Sequence, residues 1–115
     1  ALFPSLRVFA GSDTLASDAF KAGLAGTITA GGNVAPDLLQ GIHQAVLRGE
    51  DPSVIQGELN TVRSWLEKSP SMHAATKFLL TLFADLPEVS VRPPLIDLSA
   101  AQRAELAALA SEYLS

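Results

Sequence analysis

The chain opens on two short apolar runs and then turns to helical spacing. Leu6-Arg7-Val8-Phe9-Ala10, closed by Gly11, predicts a buried strand over 6–10. Ser12-Asp13-Thr14 follows, with side-chain oxygens suited to accept the free amide hydrogens of a helix start. The spacing predicts a helix from about Thr14 to Ala22, with Gly23 available for the left-handed residue at its end. Gly26-Thr27-Ile28-Thr29-Ala30, rich in β-branched residues, predicts a second strand, and Gly31-Gly32-Asn33 a loop. Strand, helix, strand with short connections predicts a parallel pair joined by a right-handed crossover.

The remainder reads as helix. Pro36 suits a first turn, where its missing N–H would have no partner, and Leu38, Leu39, Ile42, Ala45 and Val46 form one apolar face before Gly49. Asp51-Pro52 reads as a cap followed by a first-turn proline. Val54, Ile55, Leu59, Val62, Trp65 and Leu66 then recur near the 3.6 period until Pro70. Met72 to Leu86 is apolar on nearly all sides, which predicts burial on several faces. Arg92-Pro93-Pro94-Leu95 is expected to be extended, since each proline disfavours helix in the residue before it. Ser99-Ala100-Ala101-Gln102 is a capping box opening a terminal helix through Leu114.

Two strands alone do not make a stable parallel sheet, which needs cover on both faces and further strands. The pattern therefore predicts one end of something larger. Composition agrees. Of 115 residues, 48% are hydrophobic and only 17% charged, against about 25% in an average soluble domain. So apolar a small chain is expected to bury surface against another body, as an oligomer or as part of a larger domain. A complete eight-stranded α/β barrel is excluded, since it needs roughly 200 residues or more. The chain lacks an initiator Met, so residue 1 need not be a natural start.

Charge narrows the partners. Net charge is −4, and Arg7, Lys21, Arg48, Arg63, Lys68, Lys77, Arg92 and Arg103 are spread singly. No cluster offers the phosphate backbone several cations on one face, so nucleic acid is not an expected partner. The opening Ala-Leu-Phe-Pro has neither a charged start nor a long apolar core, so no signal peptide and no membrane association are expected. Without cysteine there is no disulfide framework and no thiolate nucleophile, and a cytoplasmic setting is the expectation.

Few residues offer chemistry. His43 and His73 fall on different predicted helices in no metal-binding spacing, and no metal or cofactor is expected. Glu50-Asp51 is better explained as a helix end followed by a cap than as a cation site. Lys21, Lys68 and Lys77 all fall on predicted helices, where a Schiff-base lysine with a depressed pKa is not expected. Gly31-Gly32 is neither GxGxxG nor a Walker loop. Its position matters more, because α/β proteins bind ligands at the carboxyl ends of parallel strands. Gly11, Ser12, Asp13 and Thr14 after the first strand, and Ala30 to Asn33 after the second, are ligand-facing candidates there. Equally, they read as ordinary turn and cap residues.

The series Arg7-Val8-Phe9-Ala10-Gly11-Ser12-Asp13, then Leu24 through Pro36, resembles the dihydrodipicolinate synthase and N-acetylneuraminate lyase family. These segments are similar to the seventh and eighth strands of its barrel. Ala75-Thr76-Lys77-Phe78 and Arg92-Pro93-Pro94-Leu95-Ile96-Asp97-Leu98-Ser99 resemble its C-terminal helical extension. The implied fold class is α/β. It comprises the C-terminal part of a TIM (β/α)8 barrel, namely its last two βα units (residues 1–50), plus a three-helix extension (51–115), incomplete as given.

The resemblance implies a class I aldolase or lyase that uses pyruvate or a 2-keto acid through a lysine Schiff base, usually as a homo-oligomeric tetramer. In that family the lysine stands on the sixth strand and a proton-relaying tyrosine on the fifth. Both lie outside this segment, and Tyr113 in the terminal helix does not match. No catalytic residue is therefore expected within the chain. What carries over is pocket wall: Ile28 matches the position whose backbone carbonyl lies beside pyruvate, and Gly11 the glycine that keeps the pocket floor open. Asp13, Thr14 and Ala30 match positions that contact the hydroxylated tail in sugar-acid lyases. Gly11-Ser12-Asp13 departs from both named members and is more similar to the family's keto-deoxy sugar-acid or hydroxy-oxo-acid aldolases. Two rival expectations stand beside this one: a non-catalytic half-barrel that assembles with its own copies or an N-terminal barrel portion, and a phosphate-binding βα unit using the Gly31-Gly32 amides.

Overall fold

In the computed structural model, which describes residues 3–114, the elements run in the expected order. Strand β1 is Phe9–Ala10 and β2 is Gly26–Thr27, paired in parallel with Phe9 opposite Gly26 and Ala10 opposite Thr27. The ladder reaches one bond further at each end, where the Ala25 amide donates to the Val8 carbonyl (2.8 Å) and the Ile28 amide to Ala10 (2.9 Å). Both strands are shorter than the runs 6–10 and 26–30. Each has a single ladder neighbour among the described residues.

The connection between the strands departs from expectation at its start. The chain enters through a 3-10 turn, Asp13–Leu15, before α1, Ala16–Lys21. Neither Ser12 nor Leu15 caps these turns with a side chain. The Ser12 and Thr14 hydroxyls bond each other instead (2.9 Å), and Leu15 closes the turn through its amide to the Ser12 carbonyl (3.3 Å). The expected loop Gly31-Gly32-Asn33 is a short helix, α2 (Gly31–Val34), despite glycine's low helix propensity. A long-range contact to its first amide, described below, holds it.

Helix α3, Pro36–Leu47, starts on its proline and stops where Gly49 takes φ +70, a conformation that costs a side-chain-bearing residue energy. Helix α4, Ser53–Lys68, is entered through Asp51, whose carboxylate accepts from the Ser53 amide (3.0 Å) and hydroxyl (2.5 Å). The chain divides within α4 into two compact units, Ala1–Val62 and Arg63–Ser115. In the first, Ala16, Leu39, Ile42 and Leu59 form the buried core, with Phe20, Ala35, Leu38 and Ile55 against it.

In the second unit, α5 (Met72–Phe83) packs on α6 (Ala100–Leu114). Ser71 caps α5 by accepting from the Ala74 amide (3.2 Å), and the capping box at α6 is reciprocal. The Gln102 amide donates to the Ser99 hydroxyl (3.2 Å) and the Ser99 amide to Gln102 Oε1 (2.8 Å). Helix α5 ends at Phe83, short of Leu86, with Asp85 in the left-handed region. Burial falls on Ala74, Ala75 and Leu79, whereas Leu82 is exposed, so α5 is one-sided rather than enclosed on several faces. Between the helices, Arg92-Pro93-Pro94-Leu95 is a turn rather than an extended run. The Pro93–Pro94 bond is cis and the Leu95 amide closes onto the Arg92 carbonyl (3.1 Å). Asp97 accepts from the Val91 amide (2.8 Å), and Arg103 pairs with Glu88 while lying 5.6 Å from the Phe78 ring centre. No helix among the described residues is long and apolar enough to cross a membrane.

Candidate functional site

Both strands point their carboxyl ends the same way, so the loops after them, residues 11–14 and 28–31, emerge side by side. Gly11 is exposed, and a Cβ built there would meet nothing within 4 Å. Thr14 is exposed too. Asp13, between them, is wholly buried, with no accessible surface. Its Oδ2 accepts from the Gly31 amide (3.0 Å), which opens α2 on the neighbouring loop. An anionic oxygen is well suited to an amide at a helix start, and such charge-assisted bonds are stronger than neutral ones. The approach is close: a Cβ at Gly31 would lie 2.5 Å from Asp13 Oδ1 and 2.7 Å from its Cγ. Glycine is therefore demanded at position 31 by space.

The Asp13 backbone is held as well. Gln56, on α4 and also buried, donates through Nε2 to the Asp13 carbonyl (3.0 Å) and accepts at Oε1 from the Ser17 amide (2.9 Å). It thus ties α4 to the 3-10 turn and to the first turn of α1, pairing the Ser17 amide and adding a second bond to the Asp13 carbonyl, which also accepts from the Ala16 amide. The same Nε2 donates to Asn60 Oδ1 (2.9 Å).

On the second loop Ile28 is tied by its amide to β1, yet its residue surface is 75% exposed. Ala30 is half-buried, and its carbonyl accepts from the Asn33 amide (3.1 Å) and side chain (3.3 Å). Thr29 Oγ1 accepts from the Gly32 amide (3.3 Å). The structure thus brings Gly11, Asp13 and Thr14 together with Ile28 and Ala30 at one end of the strand pair. It separates them by exposure: Gly11, Thr14 and Ile28 open outward, while the Asp13 carboxylate turns inward. Gln56 was missed from the sequence. Its signal was a polar residue on the apolar stripe of α4, one turn before Leu59 and two before Val62.

The other candidates take ordinary places. His43 on α3 stacks on Phe20 with ring centres 4.6 Å apart, beside an open groove of about 240 Å³ that Thr27, Gly32, Leu39 and Gln40 also line. His73 is exposed. Among the described residues no three His, Cys, Asp or Glu are grouped to hold a metal. Lys21 and Lys68 are exposed on helices, and Lys77 Nζ donates to the Ser90 carbonyl (2.7 Å). Glu50 pairs with Arg48 (3.3 Å). The hydroxyl and amide of Ser53 hold the Asp51 carboxyl below the usual carboxylate range. The strand-end site can bind and orient through backbone groups and a hydroxyl, but it holds no amine or thiol nucleophile.

The sequence matches the dihydrodipicolinate synthetase family over residues 2–113. An uncharacterized DapA-like lyase of Chloroflexus aurantiacus is 39% identical over 111 residues, covering 96% of this chain and 36% of that protein. A Halobacterium salinarum uncharacterized DapA-like lyase is 37% identical over 71 residues, 60% of this chain and 23% of the relative. In structure, the chain superposes on the 2-keto-3-deoxygluconate aldolase of Sulfolobus in complex with D-KDPG with a TM-score of 0.86. That match has 21% identity and covers 96% of this chain and 38% of the other. The KD(P)GA of T. tenax gives a TM-score of 0.79 at 28% identity, covering 96% of this chain and 39% of that one. The chain thus spans well under half the length of each of these proteins.

Proposed function

The chain belongs to the dihydrodipicolinate synthetase family, and from that premise we propose that it is the C-terminal part of a pyruvate-dependent class I aldolase or lyase. Residues 1–50 are the last two βα units of its TIM barrel and 51–115 its helical extension. The observation that carries this reading is the parallel β1–β2 pair with both following loops at one end, in a chain whose family match runs nearly from end to end. That end is where barrel enzymes build their sites. In the complete protein a lysine outside this chain condenses with the pyruvate ketone and releases water. The resulting iminium accepts the electron pair left by retro-aldol cleavage or by loss of a methyl proton.

This chain supplies wall. Ile28 and Gly11 face pyruvate, Thr14 and Ala30 face the tail of the second substrate, and Asp13 stands behind them. A keto-deoxy sugar-acid substrate is the class we favour, supported by the Gly11-Ser12-Asp13 form and the likeness to the T. tenax protein. No resident cofactor or metal enters this reading, and partners are the substrates and further copies of the same protein.

Trapping with pyruvate and borohydride tests it. The full-length protein is expected to gain one covalent pyruvate on a lysine outside this segment, and the 115-residue chain none. An adduct on Lys21, Lys68 or Lys77, or no adduct on the full-length protein, refutes the reading. One observation favours a second reading, a non-catalytic assembly module: Leu6, Val8 and Ile28 are exposed at or beside the strands. Native mass spectrometry separates the two, because an assembly module forms defined oligomers of the 115-residue chain alone.

A further inference from the structure

Asp13 is placed differently from the residues around it. Gly11, Thr14 and Ile28 are exposed at the strand ends, whereas Asp13 is buried by this chain's own elements. Its carboxylate is spent on the amide of Gly31, 18 residues away, and its carbonyl on Gln56, 43 residues away. We propose that Asp13 is a positioning residue: with Gly31 and Gln56 it forms a latch that sets the second loop beyond Ile28, and thereby Ala30, against the bound substrates. This deepens the aldolase reading and rests on it.

Three features make the latch a device for placement. First, it links the two loops directly, so a change at Asp13 reaches the peptide immediately after Ala30 without crossing substrate. Second, its length is set by contact. With the Cβ position of Gly31 only 2.5 Å from Asp13 Oδ1, a single added methyl must displace the Asp13 carboxylate or the Gly31 backbone from the latch. Third, Gln56 holds the Asp13 backbone from α4, so the carboxylate is presented from a fixed base. Ile28 is held to β1 by its own amide, and beyond it the bonds Thr29 to Gly32 and Ala30 to Asn33 fix the loop's internal shape, while the latch ties the peptide after Ala30 to the first loop. Small displacements matter in such a site, where about 1 Å can cost on the order of a hundredfold in rate.

A residue touching the hydroxylated tail and one acting through Gly31 are told apart at position 31. The test uses the full-length protein with D13A, D13N and G31A, each confirmed folded by circular dichroism. Two quantities are read: the rate of borohydride trapping with pyruvate alone, and the ratio of kcat/KM for D-glyceraldehyde over propanal as acceptor. The latch predicts that D13A and G31A both lower the aldehyde ratio by about tenfold or more, with pyruvate trapping changed less than about threefold, because Ala30 faces the tail while Ile28 keeps its own bond to β1. It also predicts that D13N, whose amide oxygen can still accept from Gly31, recovers most of the loss. A lowered aldehyde ratio in D13A with the wild-type ratio in G31A overturns the proposal and makes Asp13 a direct tail contact. Wild-type rates in both D13A and G31A overturn it as well. If the alanine variants do not fold, D13N decides by the same ratio, a preserved preference supporting the latch and a lost one refuting it. Failure of the wild-type protein to trap pyruvate at all refutes the aldolase reading itself, an outcome distinct from each of these.

Discussion

Gln56 offers the sharpest test of how the site is built, because its replacement by leucine sets two effects of known sign against each other. Leucine is close to glutamine in size, so Q56L keeps the volume of a buried side chain while removing its bonds to the Asp13 carbonyl and the Ser17 amide. A buried backbone group stripped of its partner costs about 1–3 kcal/mol. The Asp13 carbonyl keeps the Ala16 amide as a partner and forfeits an ordinary bond, about 1 kcal/mol, while the half-buried Ser17 amide falls toward the lower part of that range. The third bond, to exposed Asn60, is replaced by water at little cost. Against a loss of about 2 kcal/mol stands the apolar gain of burying leucine, about 1.5–2 kcal/mol. The two nearly cancel, and Q56L is destabilised by less than about 1 kcal/mol. Q56A has no such gain and leaves a cavity besides, so it loses about 3 kcal/mol or more. Native-state hydrogen exchange reads this locally. The Ser17 amide, which loses its acceptor in Q56L, is expected to exchange up to about fivefold faster than in wild type, and faster still in Q56A. If Q56L exchanges no faster than wild type, the two bonds contribute nothing net and α4 is held by apolar contact alone.

Three further expectations test the helices. S99A removes the hydroxyl that accepts the Gln102 amide, while the amide of residue 99 keeps its bond to Gln102 Oε1, and is expected to destabilise the start of α6 by about 1 kcal/mol, and unchanged exchange at Gln102 would contradict this. L79A, on the buried face of α5, is expected to lose about 2–5 kcal/mol, whereas L82A on the exposed face loses far less, and equal shifts in denaturation midpoint would refute the one-sided packing. The Asp51 carboxyl is held below its ordinary value first by the Ser53 hydroxyl, then by the Ser53 amide. Its stabilising contribution is therefore complete above the unfolded-state value and is lost as pH falls through that value toward the folded one. D51N retains a capping oxygen but cannot titrate, so its midpoint should fall less steeply with acid, and parallel curves would refute the assignment.

Helix placement was largely legible along the chain because it depends on neighbours in sequence. Pro36 at a first turn, Ser99 with Gln102, Asp51 before Pro52, and the stops at Gly49 and Pro70 are each encoded within a few residues. Ends and exceptions were less legible. The double proline at 93–94 excludes helix, but a turn and an extended run are both non-helical, and the pattern does not separate them. An all-round apolar helix reads as enclosed, yet Leu82 lies on a face that nothing in its own unit covers.

The sequence by itself determined the order of strands and helices, the starts of α3, α4 and α6, and the family. These follow from period, from residues with one strong local preference, and from motifs read in series. Only the tertiary structure decided what Asp13 and Gly31 do. Asp13 reads locally as a cap for its own helix, and Gly31 as a flexible loop residue. In the fold the one caps the other across 18 residues, turning a glycine pair into the start of a helix. Gln56 completes the arrangement from 43 residues away. A side chain has many local partners within reach, and which it takes depends on what folding brings beside it, a quantity that no run of neighbours contains.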